Sequence, residues 1–173
     1  MKLERLRGER VTLRPLEATD VPRLARIAAE PEVARWWLGL DEQDLREKAG
    51  PDEDGFVFAV ELDGDVIGLA EASEEADPDY RHASIDLFLA TAAHGRGLGA
   101  DTVRTLARWL FEERGHHRLT IDPAAANVRA IRSYERVGFR RVGVMRSYER
   151  DAHGSWHDGL LLDLLPEDLR EER

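Results

Sequence analysis

Apolar and polar positions change period along the chain, and the sharpest change lies past its middle. Ile85, Leu87 and Leu89 alternate with Asp86, Phe88 and Ala90, the two-residue period of a strand. From Gly99 onward the period lengthens: Val103, Leu106, Ala107 and Leu110 recur at helical spacing, with Arg104 and Arg108 on other faces. Between them lies His94-Gly95-Arg96-Gly97-Leu98-Gly99, with glycine at every second position. The pattern predicts a buried strand, a glycine loop and a helix.

The same reading extends to both ends. Val11, Leu13 and Leu16 predict an opening strand with Pro15 near its end. Thr19 or Asp20 caps a helix to about residue 30, with Pro22 in its first turn. Pro31 breaks it, and a second short helical piece carries Val33, Trp36 and Trp37. Residues 41–49 predict a polar helix ended by Gly50-Pro51. Residues 55–62 and 65–72 form two strands joined at Asp63-Gly64, a hairpin signal, and the acidic run 74–79 reads as a solvated loop. A short strand at 117–121 is broken by Asp122-Pro123. A helix over 127–137 stops at Gly138, and residues 139–148 and 156–164 close the chain as an antiparallel pair. Repeats, linkers and low-complexity tracts are absent, so residues 1–173 read as a single α/β domain.

Composition narrows the chemistry. With no cysteine, the chain has no disulfide, thiolate metal site or cysteine nucleophile. The net charge of −10 argues against nucleic acid as a partner and suits a cationic one, although a solvated acidic surface is the plainer account of most carboxylates. Among 25 basic residues only Lys2 and Lys48 are lysine. The first sixteen residues lack a signal-peptide run and no apolar stretch reaches membrane-spanning length, so a cytoplasmic protein, monomer or homodimer, is expected, without a membrane partner. His94, His116, His117, His153 and His157 form no helical pair with a carboxylate, so no metal site is expected.

A glycine loop running into a helix start offers unpaired N–H groups at the positive end of the helix dipole, a place for phosphate. Ala100-Asp101 stand where a P-loop needs Lys-Ser or Lys-Thr, and a G-x-G-x-G loop past mid-chain fits a dinucleotide fingerprint poorly. A plain glycine-rich turn is the remaining account. The segment His94–Gly99, however, resembles the acyl-CoA motif of the GNAT superfamily of N-acetyltransferases, Arg/Gln-x-x-Gly-x-Gly/Ala, with His94 departing from the usual Arg or Gln. About thirty residues later, Asn127, Ala130, Tyr134 and Gly138-Phe139 resemble the second half of the same signature.

The resemblance implies a fold: a mixed, mostly antiparallel central sheet of about six to seven strands, flanked by helices, with a splayed central strand pair. It implies an acetyl-CoA-dependent N-acetyltransferase acting on a small-molecule primary amine. Backbone N–H groups of Arg96, Gly97, Leu98, Gly99 and Ala100 would hold the diphosphate. The main chain of Phe88, Leu89 and Ala90 would pair with the pantetheine arm, with His94 and Asn127 as further cofactor contacts. Tyr134 matches the proton donor to the sulfur, with packing against the sheet as the alternative. Asp86 matches a base or ammonium anchor, the alternative being an outward-facing strand residue. Within the superfamily the chain looks most like aminoglycoside 6′-N-acetyltransferases, which carries Asp86 and Asp122 over as carboxylates near the drug's amines, Asp-Pro being equally a turn former. Trp36 and Trp37 are candidates for the acceptor pocket wall or for the core. The tail from Trp156 to Leu161 also resembles enzymes that acetylate the N-termini of ribosomal proteins.

Overall fold

The computed structural model describes residues 4–50 and 55–171, and every strand among them joins one sheet. In chain order the strands are β1 (Leu6–Arg7), β2 (Val11–Pro15), β3 (Gly55–Leu62), β4 (Asp65–Glu75), β5 (His82–Leu89), β6 (Leu119–Ile121), β7 (Arg140–Arg150) and β8 (Trp156–Leu164). The helices are α1 (Val21–Ala28), α2 (Pro31–Ala34), α3 (Glu42–Lys48), α4 (Leu98–Glu112) and α5 (Val128–Val137). Spatial order is β1-β2-β3-β4-β5-β6-β8-β7, antiparallel except at β5–β6. The eighth strand, beyond the seven expected from pattern, is the two-residue edge piece Leu6–Arg7, too short to show a period.

β5 is the centre. Ile85, Leu87 and Leu89 pack with α4 and α5 on one face, while Phe88 and Ala90 pack with α1 and α3 on the other. A strand covered on both sides loses the polar half of its alternation. Asp86 alone among residues 85–90 keeps open surface.

The parallel β5–β6 pairing is brief. It covers only Ala83 with Leu119 and Ser84 with Thr120, while β5 pairs with β4 all the way to Leu89. From Ile85 onward one edge of β5 is therefore without a neighbouring strand. Ala90 donates its N–H to Ile67 O at 2.7 Å, which sets the parity of the ladder. Phe88 and Ala90 spend their main-chain groups on β4, and Leu87 and Leu89 turn theirs into the gap.

Some elements differ from the sequence pattern. α1 ends at Ala28, since the chain turns extended at Glu30 ahead of Pro31. Asp20 precedes α1 without capping it, because its carboxylate binds the Glu17 N–H and both terminal nitrogens of Arg14. α2 stops at Ala34, leaving Trp36 and Trp37 in the following turn. Residues 74–79 are not all loop: β4 runs to Glu75, and Glu74 takes Arg114 and His116 at 2.7–3.0 Å. Pro51, expected beyond α3, and the first three residues of the N-terminal stretch lie outside the described residues.

The start of α4 is held from outside. Asp101 in its first turn is buried and accepts the N–H groups of Glu9, Arg10 and Val11 at 3.0, 2.8 and 3.0 Å. Gly8 allows this approach, because a Cβ there would lie 2.5 Å from Thr105 Oγ1 and 2.8 Å from Asp101 Oδ1. Arg10 Nη1 also reaches Arg96 O at 2.7 Å, bracing the glycine loop. Asp101→Ala is expected to destabilise the protein by about 2 kcal/mol, because the Val11 N–H is left buried and unpaired. Thermal melting should show the midpoint falling by roughly 6 °C.

Candidate active site

Two clefts meet at the open edge of β5. The first holds about 760 Å³ of open space, and its walls include the glycine loop, Leu87–Leu89 and the inner face of α5. The second, about 830 Å³, lies on the other side of Tyr134 and is lined by Asp86, Asp122, Tyr148 and Glu149. Trp36, Trp37, Leu87, Asn127 and Tyr134 line both, so the two clefts adjoin across a shared wall.

Local backbone geometry makes the first cleft. Gly95 and Gly97 have φ of +70° and +77°, and Gly97 is the N-cap of α4. Other residues are strained in that region. Among the described residues, the N–H groups of Leu98, Gly99 and Ala100 have no protein acceptor, and the helix ladder begins when Asp101 N donates to Gly97 O at 3.1 Å. These free donors form the positive end of the dipole, so the loop fits a diphosphate.

His94 is occupied within the protein. Its Nε2 lies 2.8 Å from Leu89 O, and Arg129 donates to Nδ1, which leaves the proton on Nε2. Burial, with Arg129 beside it, holds its pKa below the ordinary histidine value. Trp37 Nε1 donates to Leu87 O at 3.2 Å, and the Leu87 N–H turns to Asp86 Oδ1 at 2.9 Å. Of the gap-facing main-chain groups on Leu87 and Leu89, the Leu89 N–H is left as a free donor. Of the main-chain groups expected to meet the cofactor arm, the Leu89 N–H is the one left open among the described residues. Ala90, Arg96 and Ala100 do not line the cleft, and the Ala90 N–H is committed to β4. Asn127 caps α5 through the Ala130 N–H at 3.3 Å while also lining both clefts.

Tyr134 stands at the junction, 7% exposed, its ring tilted against Phe139 at 6.2 Å. Its hydroxyl has no protein partner among the described residues. Burial first, and the charge of Asp86 second, push the phenol's pKa well above its usual value.

The second cleft is acidic. Asp86 lies in its wall, open to water yet hemmed in by protein; desolvation, then the negative charge of Glu71, push its pKa up to about 7. Asp122 follows β6 and accepts the Tyr148 hydroxyl. That bond raises the Tyr148 pKa to about 12. Burial, with Asp122 nearby, raises the pKa of Glu149. Among the described residues no lysine or arginine lines this cleft. Trp36 and Trp37 are half-buried walls, Trp37 with its edge on Phe88 at 5.1 Å.

Sequence pattern places Tyr148 only at the end of a closing strand and gives Glu149 no part. A break in the β7–β8 register between Met145 and Glu149, with Ser147 at φ +49°, turns them toward the cleft. The available signal was Gly159, where a Cβ would lie 2.7 Å from the Tyr148 ring. Among the described residues no cluster of three or more His, Asp or Glu could hold a metal, and no helix is long and apolar enough to cross a membrane.

The family model for the acetyltransferase (GNAT) domain matches residues 10–140. The chain belongs to the GNAT family. It is an acetyl-CoA-dependent N-acetyltransferase. Over 158 residues it is 32% identical to the aminoglycoside N(6′)-acetyltransferase type 1 of Klebsiella pneumoniae, covering 80% of this chain and 78% of that protein. Over 135 residues it is 27% identical to the spermidine N(1)-acetyltransferase of Escherichia coli, covering 75% and 72%. Among solved structures, AAC(6′)-Ib with paromomycin and acetyl-CoA superposes with a TM-score of 0.75 at 28% identity over 92% of this chain and 96% of that one. Mycobacterium smegmatis RimJ with CoA-disulfide gives 0.83 at 22% identity over 98% and 90%, a likeness of fold. The family's fold is the one described above.

Proposed function

We propose that this GNAT enzyme acetylates a primary amine of a cationic small molecule of the aminoglycoside type, at the 6′ position. The observation that carries this reading is the acidic cleft. Asp86, Asp122 and Glu149 converge there without a lysine or arginine among the described residues, in a space of drug size that adjoins the glycine-loop cleft. One α-amine would need one carboxylate; a polycation profits from three.

The residues then take these roles. Leu98 and Gly99 hold the cofactor diphosphate through their N–H groups, and the Leu89 N–H pairs with the arm beyond it. When bound, acetyl-CoA supplies the thioester that the amine attacks. Asp122 and Glu149 draw the ammonium groups in, with Trp36 and Trp37 as walls. Asp86, near neutrality, accepts the proton that the attacking amine must lose. Tyr134, fully protonated at working pH, donates one to the departing sulfur. The two steps are coupled. The charge of Asp86 is one of the causes that bind the proton to Tyr134, so once Asp86 is neutral, that proton is easier to give.

An amine panel tests this. The purified protein with acetyl-CoA should release thiol with kanamycin-type aminoglycosides at a kcat/KM at least about tenfold above that with spermidine or a peptide N-terminus. Aminoglycosides lacking the 6′-amine should be inert. Release with peptides alone would overturn the acceptor assignment and favour protein N-termini.

A further inference from the structure

We propose that Glu71, held by Lys48, is a positioning residue for the transfer and tunes the basicity of Asp86. This rests on the reading of Asp86 as the base. The β4–β5 register sets Glu71 directly opposite Asp86, so both side chains lie on the same face of adjoining strands. Lys48, in the last turn of α3, places Nζ 2.6 Å from Glu71 Oε2, with both side chains largely shielded from water. Glu71 does not line the acceptor cleft. It therefore acts on the acceptor through Asp86.

The charged and titratable groups that act on Asp86 come from every side: Glu71 on β4, Lys48 on α3, Asp122 after β6, Tyr134 on α5 and Tyr148 on β7. Of the charges, Glu71 acts most strongly to retain the proton on Asp86, Asp122 acts in the same sense, and Lys48 opposes both. An isolated aspartate, with a pKa of about 3.9, is too weak a base to serve an amine near neutrality. A like charge across one strand pair strengthens it. Lys48 trims that effect, so that Asp86 is ionised in a useful fraction of molecules at pH 7.

The test is a carbon-detected NMR titration of the Asp86 carboxyl in the intact protein, alongside the pH profile of kcat/KM, for wild type, Glu71→Gln and Lys48→Met. Glu71→Gln should move the Asp86 midpoint and the acidic limb of the profile together to lower pH, and raise relative activity at pH 6 about threefold. Lys48→Met should move both the opposite way and lower activity at pH 6 about twofold. The two variants carry opposite signs, so either one decides if the other fails to fold. An Asp86 midpoint that stays in place in a folded variant overturns the proposal. A midpoint that moves while the acidic limb stays would keep the role of Glu71 and remove Asp86 as the base.

Discussion

Replacing Asp86 with Asn is expected to lower kcat by about a thousandfold while making the folded protein more heat-resistant at pH 8. Both effects have one cause. Protein surroundings and Glu71 make the ionised carboxylate costly, which lifts its pKa to about 7 from the ordinary 3.8. The folded state therefore binds a proton that the unfolded chain has already lost between pH 4 and 7. Stability from this group is fully present below pH 4 and declines as pH rises through 7. Asn carries no charge, so the variant escapes the decline. The melting difference, variant minus wild type, should be small at pH 4, grow to about pH 7 and then level off. Activity behaves in the opposite way: the wild-type kcat/KM should climb through pH 7 as Asp86 becomes available, and the variant should lose that limb. A variant that keeps kcat but raises KM for the amine would make Asp86 an ammonium anchor instead.

This opposition of stability and activity marks where sequence reading succeeded and where it ran out. The β5–loop–α4 unit was legible because its period changes from two to 3.6 across alternate glycines, and each glycine with positive φ there has a local cause. Asp86 stood out as an acid among apolar strand residues, whereas Tyr134, on a largely polar helix, was singled out only by the family resemblance. The splay was not. Its origin is that β6 spans only Leu119–Ile121 and releases β5 after two pairs, a tertiary event that no local pattern records. The acidic cleft was half legible: Asp122 stood out beside Pro123, whereas Glu149 needed a register break to aim it. At His94 the departure from the usual Arg or Gln goes with side-chain bonds that only the folded structure records. A ring that accepts from Arg129 and binds Leu89 O has no free nitrogen for a phosphate. The pairing of Glu71 with Asp86 required strand register, which alternation cannot supply.

The second large effect is expected from Tyr134→Phe: kcat down about a hundredfold, with KM for acetyl-CoA unchanged. The hydroxyl has no protein partner among the described residues, so its removal leaves no group unpaired, and the ring keeps its place against Phe139. Melting temperature should therefore stay within about 2 °C of wild type, which separates lost chemistry from lost structure. The proton balance explains the size. A thiol has a pKa of about 8.5 and a free phenol about 10, so donation from an ordinary tyrosine is mildly uphill. Burial and the negative charge of Asp86 raise that slope, and Arg129 lowers it. The charge contribution falls away once Asp86 has taken the amine proton, so donation becomes less uphill in the complex that requires it. In Asp86→Asn the same contribution is absent from the start, so Tyr134 should titrate lower there, a shift that ultraviolet difference spectra can follow. The double variant should then lose less than the product of the two single losses, because the base and the acid act through one field. Full turnover by Tyr134→Phe would show that the sulfur leaves without this proton, and strictly multiplicative losses in the double variant would show that the base and the acid act independently.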